Sequence, residues 1–140
     1  MATRDRELVA NGVLEGYVLS TYSARKLGLR TTGNAGGTHN LTVIGRERDF
    51  DGMLALMDRG LLVTELMGQG VNGVTGDYSR GATGFWIEGG RIAYPVHEVT
   101  IAGNLKDLYR RIVDVGNDVD LRGGTRTGSI LIEEMTIAGE

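Results

Sequence analysis

Apolar and polar positions alternate most tellingly over residues 61–94, LLVTELMGQGVNGVTGDYSRGATGFWIEGGRIAY. An apolar run, 61–67, breaks into glycines at Gly68, Gly70, Gly73, Gly76, Gly81 and Gly84, and the stretch closes in Phe85-Trp86-Ile87-Glu88, Gly89-Gly90 and Arg91-Ile92-Ala93-Tyr94. Two apolar-aromatic runs joined by Gly-Gly predict a hairpin, because two-residue turns need positive φ. The run at 61–67 follows Gly60 and is short, which predicts a buried strand. The glycines between mark a long polar loop whose ordering entropy calls for a reason.

The remaining pattern supplies further elements. Residues 13–20 read as a strand, and Ser23 can cap a helical turn over 23–27 that Gly28 stops. Residues 31–40, TTGNAGGTHN, form a second glycine-rich loop before a short strand at 41–44. Asp49 can cap a helix to about Arg59, with Met53, Leu54 and Met57 on one face and Gly60 as the stop. Pro95 is expected to end the hairpin, with another strand at 96–101. Asn104 can cap a second helix over 105–115, since Leu105, Leu108, Ile112 and Val115 recur at near-helical spacing before Gly116. A polar loop at 117–128 and one closing strand at 129–138 complete the chain. The sum is an α+β domain, mainly antiparallel β-sheet or barrel-like, with two helices. Residues 1–12 are expected to be a flexible or vector-derived start, and 13–140 a single domain.

Composition narrows the function classes. With 140 residues, 41% hydrophobic and 24% charged, the chain matches an ordinary globular domain, with glycine, at 23 residues, in excess. A net charge of −3 leaves no electrostatic footprint for nucleic acid. No apolar run reaches the length of a membrane span. There is no cysteine, hence no disulfide framework or thiolate chemistry, and a cytoplasmic setting is expected.

Candidate chemistry is sparse. Gly68-Gln69-Gly70-Val71-Asn72-Gly73 matches G-x-G-x-x-G, but residues 74–84 beyond it make a poor helix, so a turn-rich β segment is the better reading than a nucleotide site. His39 and His97 are the only histidines and form no short-spaced ligand pair. Ser79 lacks a nucleophile elbow and a positioned base. Asp77 and Arg80 more plausibly fix a loop through charge-assisted hydrogen bonds. Glu65, inside an apolar run, is either paired, solvated or perturbed in its pKa, and Glu133 and Glu134 read as a solvated face.

The central stretch through residue 118, the segment Tyr22-Ser23-Ala24-Arg25-Lys26-Leu27-Gly28, TTGNAGG at 31–37 and the closing TGSILIEEMTIAG together resemble the PmbA/TldD family, also labelled modulator of DNA gyrase or peptidase U62. Within it the chain looks like the C-terminal region of a PmbA, or TldE, type subunit. The resemblance implies longer full proteins and a zinc-holding TldD-type partner with a His-Glu-x-x-x-His motif and a later cysteine. This chain has no such motif, and the tail where TldD members place Cys-Gly reads Thr127-Gly128, a poor zinc-binding substitute. The resemblance therefore implies no cofactor in this chain and a non-catalytic subunit of a metalloprotease complex acting on extended peptides.

On that reading Glu65, Gln69, Asn72, Asp77, Tyr78, Ser79 and Arg80 are the candidates to face the partner or peptide, because an extended peptide can pair with a strand edge and glycines let backbones approach. Two other readings stand beside it: a binding module of a gyrase-modulating system without proteolysis, and an enzyme in its own right using Glu65 or Ser79. Apolar surface exposed in the isolated chain is expected to make it self-associate as a dimer.

Overall fold

A computed structural model describes residues 2–139. The chain divides into two compact units, one up to Leu41 and one from Thr42 onward. In the first, strand β1 (Val9–Ala10) pairs antiparallel with β2 (Val13–Leu14) around Asn11-Gly12, both at positive φ. Residues 15–20, expected to prolong a strand, do not. Helix α1 (Thr21–Lys26) starts at Ser20, not Ser23: the Ser20 side chain accepts from the Ser23 N–H, and the Ser23 hydroxyl answers the Ser20 N–H in a capping box. The glycine-rich loop is strapped to buried Leu19, whose carbonyl accepts from the N–H groups of Thr32 and Asn34. The short strand β3 (Leu41–Thr42) comes next.

The second unit opens with helix α2 (Phe50–Met57), capped by Asp49 as expected. It does not run to Gly60. Asp58 turns to a positive φ of 57° and ends it, which frees Gly60 to begin β4 (Gly60–Met67). Strands β5 (Asp77–Glu88) and β6 (Arg91–Asn104) form the hairpin around Gly89-Gly90, both at positive φ. Pro95 does not end it. At Pro95, β6 has β5 on one side and no paired strand on the other, the position in which a sheet tolerates proline.

Two further corrections come at the C-terminal end. The helix capped by Asn104 is only α3 (Leu105–Arg110), and Ile112–Val115 is strand β7. The near-helical spacing of Ile112 and Val115 concealed a four-residue run carrying three β-branched side chains, which favours a strand. After the two-residue strand β8 (Thr125–Arg126), the closing segment is also divided. Strand β9 (Ile130–Ile132) pairs with β7, and β10 (Thr136–Ala138) crosses to pair with β6. The stretch Glu133-Glu134-Met135 between them carries the chain from one sheet to the other.

The main sheet is thus antiparallel in the order β10-β6-β5-β4. The fold is α+β with three helices, and the sheets do not close into a barrel. Ala82, Val99 and Ile101 form the buried cluster, with Leu61, Val63, Tyr78, Val96 and Met135 packed against it. Helix α2 buries Met53 and Leu54, and the Gly90 N–H donates to the Asp58 carbonyl at the hairpin tip. No described helix is long and apolar enough to cross a membrane.

Strands β4, β5 and β6 shift register at neighbouring positions: β4 against β5 between Val63 and Glu65, β5 against β6 between Ala82 and Gly84. Gly84 lies at these shifts, and a Cβ there would overlap the Leu62 carbonyl oxygen. Gly84→Ala is expected to cost about 1–3 kcal/mol through forced backbone displacement. Denaturant unfolding should show a lowered midpoint at unchanged slope; an unchanged midpoint would mean the strands can separate freely at these shifts.

Candidate functional site

The candidate site is the free edge of the main sheet. Strand β4 is terminal in the sheet order, and its outer half, Thr64 to Met67, is exposed. The loop after it spans residues 68–76, shorter than the glycine pattern suggested, because Asp77, Tyr78, Ser79 and Arg80 already belong to β5. The signal for strand was there in the inward alternation of Tyr78, Arg80 and Ala82, but glycines at 76, 81 and 84 masked it.

The loop folds back onto β5. The Gly70 carbonyl accepts from the Ser79 N–H at 2.7 Å, and Val71 bridges to Tyr78. A Cβ at Gly70 would collide with the Ser79 carbonyl, so this close return requires glycine. The loop's tip is organised by Asn72, whose Oδ1 accepts from the N–H groups of Val74 at 2.9 Å and Thr75 at 3.1 Å. This is the local side-chain turn that asparagine favours. Asp77 then takes a hydrogen bond from the Thr75 hydroxyl at 2.6 Å and another from Asn104 Nδ2 at 3.2 Å. Those two donors, Thr75 first, hold its carboxyl below its ordinary value.

Asn104 emerges as the clamp of the site. Its Oδ1 accepts from the Lys106 N–H to cap α3, while its Nδ2 donates to Asp77 and to the Thr75 carbonyl. The sequence showed the cap but not the clamp, since the second role depends on the Asp77–Asn104 pairing across β5 and β6. Arg80 is half-buried on the core side, and one terminal nitrogen donates to the Leu66 carbonyl at 3.3 Å. Its Nε is buried without a partner among the described residues.

The seven anticipated residues therefore divide. Glu65, Gln69 and Ser79 are exposed at the edge or on the strand beside it. Asn72 and Asp77 are exposed but spend their polar atoms on the loop itself. Tyr78 packs against the core cluster, and Arg80 ties β5 to the end of β4. His97 stands on β6 five positions from Ala102, Ser79's cross-strand partner, roughly 16 Å along the strand, so His97 does not serve Ser79 as a base. A cluster that sequence reading missed lies elsewhere in the second unit. Buried Asp114 accepts from Arg48 Nε at 2.9 Å, with Arg46 at 3.8 Å. The hydrogen bond from Arg48 is the main reason the Asp114 carboxyl lies below its ordinary value. The Arg-x-Arg spacing at 46–48 was its only trace in the sequence.

This arrangement, a glycine-laced antiparallel sheet with one braced open edge, is the C-terminal domain of a metallopeptidase family. The chain belongs to the PmbA/TldA metallopeptidase C-terminal domain family, whose model matches residues 1–139. It is 56% identical over 138 residues to Metalloprotease PmbA of Escherichia coli O157:H7, covering 99% of this chain and 31% of that protein. It is 52% identical over 140 residues to the Metalloprotease PmbA homolog of Haemophilus influenzae, covering 98% of this chain and 31% of that protein. A crystal structure from Thermotoga maritima MSB8, described as a candidate modulator of a DNA gyrase, superposes with a TM-score of 0.89 at 40% identity, covering 99% of this chain and 34% of that one. Proteins named as TldD homologs also match, at lower identity. The chain thus spans about a third of the length of these relatives.

The bracing can be tested in two ways. Asn104→Ala removes both cap and clamp, and should cost about 1 kcal/mol for the cap alone. Amide exchange at Val74, Thr75 and Gly76 should quicken in that variant, and unchanged exchange there would show that Asn104 does not hold the loop. The second test uses acid. Asp77 and Asp114 both titrate below the ordinary 3.8 in the folded chain, so the stability they lend is complete above that value and is lost as pH falls through the lower folded ones. Denaturant unfolding should weaken below about pH 4, and Asp114→Asn should flatten that decline. An equally steep decline in the variant would remove Asp114 from the account.

Proposed function

We propose that the chain is the C-terminal region of a non-catalytic, PmbA/TldE-type subunit in a two-component TldD/TldE-like metalloprotease, and that it holds extended peptide or partner backbone along β4. The observation that carries this reading is the open edge of β4, exposed over Thr64 to Met67, with Arg80 bonded to the Leu66 carbonyl and the loop that follows held by Asp77 and Asn104. A strand edge binds through main-chain hydrogen bonds and so accepts many sequences, which suits a protease that handles varied peptides. Bracing lowers the ordering cost that a floppy edge would add on binding.

The donor chemistry of this chain supports assigning hydrolysis to a neighbour. It has two histidines, 39 and 97, and no cysteine, a sparse stock of the nitrogen and sulfur donors that zinc prefers. Proteins named as TldD homologs are recognisable relatives, which supports a TldD-type subunit as the neighbour that supplies zinc. The absence of cysteine agrees with a cytoplasmic setting. A second reading, a binding module in a gyrase-modulating system, draws on how the Thermotoga maritima structure is described. The net charge of −3 weighs against direct DNA contact in either case.

The test is a double substitution in the intact protein. Asp77→Ala with Arg80→Ala removes one tie of the loop and the tie to the end of β4 while leaving the exposed face of β4 in place. Co-elution with a TldD-type subunit, or cleavage of an unstructured peptide by the pair, should fall by about tenfold or more. Unchanged assembly and unchanged cleavage in a variant that melts normally would overturn the reading.

A further inference from the structure

Asp114 is the one buried charged residue among those described, at 4% exposure. A buried carboxylate is a poor stabiliser, since an apolar residue of similar volume often serves as well or better. Its surroundings suggest a different role. Its Oδ1 accepts from the Val115 N–H at 2.9 Å and faces Arg46 Nε at 3.8 Å, while Oδ2 accepts from Arg48 Nε at 2.9 Å. Both guanidiniums thus turn their Nε edges toward the aspartate. Their terminal nitrogens make no hydrogen bond among the described residues.

The backbone fixes both arginines against the same partner segment. The Arg46 N–H donates to the Val115 carbonyl, and the Asn117 N–H donates to the Arg48 carbonyl, each at 2.8 Å. Arg46, Glu47, Arg48 and Asp114 line an open hollow of about 260 Å³. Arg46 and Arg48 remain 79% and 42% exposed in their side chains, so their outer ends are reachable.

Asp114 and Glu47 balance the two guanidiniums in formal charge, but among the described residues only Asp114 is paired with them. What stays unused is the outer face of the planar forks, whose terminal N–H groups match a carboxylate. Glu47 also lines the hollow and bears on the choice of anion. It repels a dianion such as phosphate more strongly than a monoanion, and it can accept from an N–H donor beside the bound group. A peptide's C-terminal carboxylate is a monoanion with an amide N–H on the same residue. The geometry points to a binding site for the C-terminal carboxylate of a peptide, held by Arg46 and Arg48, with Asp114 as the positioning residue. The site uses no residue of β4 and stands whether or not that edge binds peptide.

The test tracks backbone amides of the isotope-labelled chain during titration with N-acetyl-trialanine bearing a free carboxylate, with the same peptide as its C-terminal amide, with that amide carrying an internal glutamate, and with inorganic phosphate. The free acid should move the amides of residues 46–48 and 114–117 saturably, and the amide should not. Arg46→Gln, at an exposed position that leaves the melt unchanged, should weaken binding at least about tenfold, the loss expected for a charged hydrogen-bonded fork. Arg122→Gln, a remote arginine, should leave it unchanged. The proposal is overturned if no amide in those segments moves, if acid and amide titrate alike, if the internal glutamate or phosphate binds more tightly than the free terminus, or if Arg46→Gln binds as the parent does.

Discussion

Strand β5 is paired along both of its edges, and the larger unit is arranged to permit that. Over Asp77–Glu88 it meets β6 on one side and β4 on the other, and beyond the end of β4 the returning loop takes over through Gly70 and Ser79. Its twelve residues, together with the fourteen of β6, are the long paired elements of the sheet that can carry a site. The arrangement holds only where side chains vanish. At Gly84 the Leu62 carbonyl occupies the space of a Cβ, and at Gly70 the Ser79 carbonyl does. Much of the glycine that sets this composition apart is therefore a packing requirement of closely crossed backbone, and not a sign of looseness.

What could be read from the sequence was what short-range chemistry decides. The Gly-Gly hairpin, the Asp49 and Asn104 caps and the strand before the loop each depend on a few neighbouring residues, and each is present. The misreadings arose where distant pairing decides. Gly81 and Gly84 suggested loop where two flanking strands impose strand. Ile112 and Val115 fitted a helix until β9 claimed them. The run 129–138 looked continuous because nothing local says that its halves serve different sheets. Ser20 and Ser23 exchanged roles because both are capping residues and only the backbone decides which comes first.

The candidate site was legible as a neighbourhood and not as a mechanism. The sequence pointed to polar residues near the glycines, and the structure shows that most of them hold the loop or the sheet together. Asn72 and Asp77 tie the loop to itself and to Asn104, Tyr78 joins the core, and Arg80 holds the end of β4. What they present outward is a length of unpaired backbone with Glu65 and Gln69 beside it. Such a surface gives affinity without demanding a particular sequence. That property fits a subunit that positions substrate for another subunit's metal, and the family's metalloprotease relatives supply the context for it.

The central claim is that the outer edge of β4 pairs with another backbone. Hydrogen–deuterium exchange across residues 60–67 in the intact protein, alone and with a TldD-type subunit plus an unstructured peptide, reads this directly. The account predicts that alternate amides along β4 become protected, because only every second N–H points away from β5. Protection that appears elsewhere while 60–67 exchanges as in the free protein would contradict it.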